Sequence, residues 1–250
     1  MTGLPFLMWA HVLLIWSIAA YITRDPVDDE SLRSARHWRV WVLVRSLAAG
    51  IGVGLLSGAM WLSILVFACS LLLPFARSRI PARHCAELEI SANVVLAAAS
   101  LVFVQRNALQ LERALFALPV TNNRIAAACI VMSLFLFTIH GGTYVVRGVL
   151  KKSGAVPMIP AIEGERKIDM KEFNRGRLIG ALERVLLFAV VIAGSYEALG
   201  FIVAAKGLVR SREFEVSRDM TEYFLIGSLA SVLVALATGT LARYVIRVCW

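Results

Sequence analysis

Long apolar runs, separated by short charged stretches, organise the chain from end to end. The first run extends from Gly3 to Ile22. The second, Val40 to Ala76, is too long for one membrane crossing. It predicts a tight helical hairpin, Val40–Leu56 and Ala59–Ala76, turning near Ser57 and Gly58. Further runs follow at Leu88–Val104, Ile125–Val146, Leu178–Gly194 and Tyr223–Tyr244. A spanning helix needs about 20 apolar residues at about 1.5 Å rise each. The pattern therefore predicts an all-α fold, a polytopic integral membrane bundle of about seven helices. Glu197–Leu208 is an open case, either a further crossing or a fold-back arm.

Between the runs, the polar segments are short. Residues 1–150 form an N-terminal transmembrane half with five spans, 151–177 a basic loop, and 178–250 a C-terminal transmembrane segment. The loop holds Pro157, Pro160 and Gly164 among charges, which suits a linker or small cap. Gln105–Pro119 mixes polar and apolar residues at helical spacing and predicts an interfacial helix. No basic residue precedes the first apolar run, which reads as a retained helix and not as a cleavable leader.

Composition supports the same class. Hydrophobic residues make up 59% of the 250 and charged residues 17%, where soluble domains carry about a quarter charged. The net charge of +9 could suggest nucleic acid, but the basic residues sit between apolar runs. The positive-inside rule explains them better, and no nucleic-acid partner is expected. Arg24, Arg33, Arg36 and Arg39 lie in the first loop, and Arg77, Arg79 and Arg83 after the hairpin. Lys151, Lys152, Arg175 and Arg177 lie in the long loop. These loops share one face, so the N-terminus is expected outside and the basic loops inside, against anionic lipid.

Several side chains invite closer reading. Gly50, Gly54 and Gly58 repeat the G-x-x-x-G spacing in the second span, with Gly227 and Ser231 a weaker pair in the last. Such stripes let helix backbones approach closely, either within the hairpin or between protomers. Ionisable residues inside spans are costly and mark polar networks or transport paths. The candidates here are Arg45, Asn93, His140, Glu183, Arg184, Glu197, Glu222 and Tyr223. Glu222 and Tyr223 at the start of the last span, or Arg147 and Lys206 at helix ends, offer partners to Glu183 and Arg184. No H-E-x-x-H, G-x-S-x-G or Walker A sequence occurs, and the cysteines Cys69, Cys85, Cys129 and Cys249 form no C-x-x-C pair. No catalytic residue, metal ligand set or cofactor is assigned.

The C-terminal third carries a family-like order of motifs. Asn174-Arg-Gly-Arg-Leu-Ile-Gly-Ala-Leu-Glu-Arg184 is followed by Tyr196-Glu-Ala-Leu-Gly-Phe-Ile-Val-Ala-Ala-Lys206 and by Glu222-Tyr-Phe-Leu-Ile-Gly-Ser-Leu229. Over about residues 141–240 this order resembles an uncharacterised bacterial inner-membrane family. The resemblance implies a membrane-embedded, metal-dependent hydrolase fold, with histidines and aspartates clustered in the N-terminal half. Here His11 is followed by Ile15 where the family has Asp. Arg45 and Ala49 stand in the places of two histidines, and Cys69–Pro74 lacks the third set. The resemblance thus implies a degenerate member whose metal site is gone.

The combined expectation is a non-enzymatic multi-pass protein of the bacterial inner membrane. It would act as an oligomeric scaffold or pore-like component, in contact with lipid and with copies of itself or a membrane partner. One alternative is a transporter or channel using Glu183, Arg184 and Glu197. Another, resting on the resemblance alone, is a metal-dependent hydrolase of lipid or isoprenoid phosphates.

Overall fold

The computed structural model describes residues 4–21, 36–106, 123–156, 158–160, 166–168, 170–210 and 218–249. Nearly all of them are helical. The helices are α1 (Leu4–Tyr21), α2 (Arg36–Ser57), α3 (Met60–Arg79), α4 (Cys85–Arg106) and α5 (Asn123–Leu136). A π-turn, Phe137–Gly141, then leads into α6 (Gly142–Ser153). A small antiparallel pair, β1 (Met158–Pro160) and β2 (Arg166–Ile168), precedes α7 (Met170–Ala193), α8 (Tyr196–Arg210) and α9 (Arg218–Cys249). Among the described residues, five helical stretches are long and apolar enough to cross a membrane: Trp38–Ser57, Met60–Arg79, Cys85–Arg106, Asn123–Ser153 and Thr221–Cys249. Pro5–Tyr21 is a shorter apolar helix. From residue 107 onward, the segment read as an interfacial helix lies outside the described residues.

The chain divides into two compact units. The first holds Met1–Pro81, Leu88–Phe137 and Tyr244–Trp250. Its centre is the α2–α3 hairpin, with α1 packed against α2, α3 and α5. Gly58 makes the turn because it adopts a left-handed φ of 61°, which costs a residue without Cβ nothing. Ser57 closes it, donating to the Val53 carbonyl at 2.7 Å and accepting from the Ala59 N–H at 3.2 Å. Trp16, Val53, Leu62, Val66, Leu96 and Val104 fill the interior. The outer faces are just as apolar: Trp41, Ile51, Leu55, Met60 and Trp61 are each 60% exposed or more. Apolar residues all round a helix suit a lipid surrounding, where close packing and not water exclusion holds helices together.

The second unit holds Ala82–Glu87 and Thr138–Arg243. Here α6 lies so close to the start of α4 that a Cβ on Gly148 would fall 2.6 Å from the Ala86 nitrogen. Lys152 and Glu87 pair across this contact at 2.5 Å. Leu150, Ala155, Val156, Tyr223 and Phe224 form the local core. Helix α7 ends at Gly194, whose φ of 77° is left-handed and whose N–H returns to the Val190 and Val191 carbonyls, a glycine C-cap.

Two expectations are corrected by these boundaries. Lys151 and Lys152 belong to the last turn of α6, and Arg175 and Arg177 to the early turns of α7, so none of them is a loop residue. Arg77 is likewise in α3 and is 3% exposed. Glu197–Leu208 lies within α8, which starts two residues beyond Gly194, packs on α7, and pairs Lys206 back to Glu183. Its 15 residues extend about 22 Å.

Candidate functional site

Among the described residues, each unit buries a polar cluster. In the first, Glu89 on α4 is 0% exposed and Arg77 on α3 faces it. The guanidinium donates from Nε to Oε2 at 3.1 Å and from Nη2 to Oε1 at 2.8 Å. Tyr21, at the end of α1, donates its hydroxyl to Glu89 Oε1 at 2.6 Å, and the Arg77 guanidinium lies 5.7 Å from the centre of its ring. Asn93, one turn beyond Glu89, donates to the Tyr21 hydroxyl at 2.7 Å and to the Glu89 carbonyl at 2.8 Å. Its Oδ1 accepts from Trp16 Nε1 at 3.1 Å. The donors of Trp16, Asn93 and Tyr21 run in series to the Glu89 carboxylate, to which Arg77 donates directly. Such an arrangement ties α1, α3 and α4 together.

In the second unit, Arg184 of α7 is 2% exposed. It reaches the π-turn, where the changed helix pitch releases carbonyls from the usual ladder. Nε donates to the Thr138 carbonyl at 2.7 Å, and Nη2 to the Ile139 carbonyl at 2.9 Å and to Thr143 Oγ1 at 2.6 Å. Nη1 lies 3.5 Å from the Ser231 hydroxyl of α9. Gly142 makes room, since a Cβ there would stand 3.0 Å from Nε. Thr138 and Thr238 share a hydroxyl bond of 2.7 Å beside it. Glu183, the sequence neighbour of Arg184, pairs instead with Lys206 of α8. A cavity of about 60 Å³ adjoins these groups and is lined by Arg147, Arg177, Glu183, Arg184, Lys206 and Tyr223 among others.

The remaining candidates are dispersed. Arg45 is half-buried on α2, His140 is exposed on the π-turn, and Glu197 and Glu222 are exposed near the starts of α8 and α9. Gly50 and Gly54 face α3: added Cβ atoms would lie 3.0 Å from Phe67 Cβ and 2.8 Å from Ser63 Oγ. Gly227 faces Leu150 at 3.7 Å. Nδ1 of His11 sits 2.8 Å from the Leu7 carbonyl of its own helix. Among the described residues, no three His, Cys, Asp or Glu side chains gather closely enough to hold a metal ion.

Sequence reading found Asn93, Glu183, Arg184 and Lys206 but not Tyr21, Arg77, Glu89, Thr138 or Thr143. One available signal was charge: Arg77 and Glu89 stand on either side of the Arg79–Ala82 turn, each at the end of an apolar run. Comparison of the chain with family models, curated proteins and solved structures gives no match.

Proposed function

We propose that the chain is a non-enzymatic, multi-pass component of a bacterial inner-membrane assembly, acting as a helical scaffold. The five long apolar helices, with α1 and the apolar part of α7, make about seven spans. By the positive-inside rule the N-terminus lies outside. The family resemblance of the C-terminal motifs belongs to the same reading, with the chain as a member lacking the metal ligands.

One observation carries it: the charges within the apolar helices are spent on joining them to one another. Arg77 is committed to Glu89, Glu183 to Lys206, and Arg184 to the carbonyls and hydroxyls of neighbouring helices. Meanwhile the outward faces of α2 and α3 offer apolar surface to lipid or to a protein neighbour. Native mass spectrometry from detergent micelles tests the proposal. A defined oligomer or a co-purifying membrane protein is expected, and a strict monomer without partner rejects it.

The cavity beside Glu183 and Arg184 favours a second reading, a transporter. Proteoliposome flux unchanged by Glu183→Gln and Glu197→Gln would eliminate that reading.

A further inference from the structure

A buried guanidinium calls for a counter-charge, and the hydrogen-bond partners of Arg184 supply none. They are two backbone carbonyls and two hydroxyls, all neutral. The carboxylate beside it in sequence, Glu183, is engaged by Lys206. Arg77 shows the contrast, since a carboxylate neutralises it at two points.

The spare donor capacity of Arg184 lies on Nη1. Nε and Nη2 are committed to Thr138, Ile139 and Thr143. Nη1 has only Ser231, at 3.5 Å, the outer limit for a hydrogen bond. A Cβ on Gly180 would stand 3.4 Å from this atom. Gly180 and Ser231 both line the cavity, so this edge of the guanidinium is turned toward it.

The cavity owes its existence to small residues. Gly176 and Gly180 of α7 and Gly227, Ser228 and Ser231 of α9 are among its lining residues. Its volume of about 60 Å³ is several times the roughly 10–15 Å³ that a single water requires. Arg147, Arg177 and Arg184 line the cavity together with Lys206 and the Glu183 carboxylate that Lys206 engages. Guanidinium forks match the oxygen spacing of phosphate, and a flanking lysine adds a point charge.

We propose that this cleft binds a phosphate group, with Arg184 at its buried end and Arg147, Arg177 and Lys206 around it. The group would come from the head of an anionic phospholipid or from free phosphate. The site does not depend on whether the chain is a scaffold or a transporter.

The test uses the full chain in a neutral detergent. One arm adds inorganic phosphate, against chloride at matched ionic strength. The other compares phosphatidylcholine nanodiscs with and without phosphatidylglycerol. Unfolding temperature and native mass spectrometry are the readouts. One probe, but not chloride, is expected to raise the unfolding temperature and to be retained at one per chain. A response to phosphate alone identifies a soluble ligand, and a response to phosphatidylglycerol alone a lipid head group. Arg177→Gln is expected to weaken binding by about ten- to a hundredfold, the worth of one hydrogen bond to a charged group. Ser231→Asp puts a carboxylate within reach of Nη1. It should raise the unfolding temperature of the unliganded chain and abolish the response, and it decides the matter if Arg177→Gln fails to fold. No response to either probe, or a wild-type response in Ser231→Asp, overturns the proposal.

Discussion

Arg77 and Glu89 meet at two points, Nε to Oε2 at 3.1 Å and Nη2 to Oε1 at 2.8 Å, with side chains only 1% and 0% exposed. They stand twelve residues apart on helices joined by a short turn. Neither ion is tolerable alone at that depth, so the pair behaves as one neutral, oriented unit. Glu89→Gln strands the guanidinium and is expected to cost about 3–5 kcal/mol. Replacing both, as Arg77→Met with Glu89→Leu, should cost far less than that single change. Denaturant titration of the detergent-solubilised protein measures both. Equal losses in the single and double variants would show that the charge pairing is not what the site depends on.

Tyr21 extends that pair to α1. Its hydroxyl donates to Glu89 and accepts from Asn93, so Tyr21→Phe leaves the Asn93 amide with one fewer acceptor and the carboxylate with one fewer donor. A loss of about 1–3 kcal/mol is expected. Hydrogen exchange should show the effect first in α1, because the hydroxyl is one of the polar ties between that helix and α4, with Trp16 to Asn93 the next along. Exchange that changes only in α3 would contradict this assignment.

The glycine stripe of α2 makes a separable prediction. A side chain at Gly50 meets Phe67 Cβ at 3.0 Å and the Ser63 carbonyl at 3.2 Å, with backbone involved. At Gly54 the obstacle is the Ser63 hydroxyl, which can rotate. Gly50→Val should therefore overpack the hairpin, by about 1–3 kcal/mol, and Gly54→Ala should cost less. Since these glycines serve the chain's own hairpin, Gly54→Ala is expected to leave the oligomer mass unchanged in native mass spectrometry. A shift of that mass to monomer would assign the stripe to protomer contacts instead.

Gly194 holds the turn between α7 and α8 in a left-handed conformation, with the Arg243 guanidinium packed where a Cβ would go. Arg243 in turn donates to the Tyr196 hydroxyl at 3.2 Å. Gly194→Ala meets both the backbone penalty, about 1–2 kcal/mol, and a steric conflict. Faster hydrogen exchange over residues 196–210 is the expected signature. An unchanged α8 would mean that the turn can re-form with another φ.

Much of the architecture is legible in hydropathy, because lipid requires each crossing to be a long apolar helix with its backbone bonds satisfied internally. The hairpin turn at Ser57-Gly58 could be placed from small residues interrupting a double-length run. The polar clusters are less legible. Arg77 looks like one more basic residue at a membrane edge until α3 is seen to carry it inward. Thr138 and Ile139 become partners through their carbonyls, and no side-chain pattern announces which carbonyls a π-turn will release. Glu183 could be matched to a cation, yet Arg147 and Lys206 were equally available on spacing alone.

The sequence by itself determined the class of the protein: helical, apolar on nearly every face, with basic residues gathered between apolar runs. Those properties follow from local composition, since each helix must satisfy its surroundings on its own. Only the tertiary structure decided which charges meet, that α8 turns back along α7, and that Arg77 is held by a carboxylate while Arg184 is held by carbonyls and hydroxyls beside a cavity. Those outcomes depend on distances between helices remote in the chain. They are set by where small residues such as Gly50, Gly142 and Gly180 let backbones and long side chains come close.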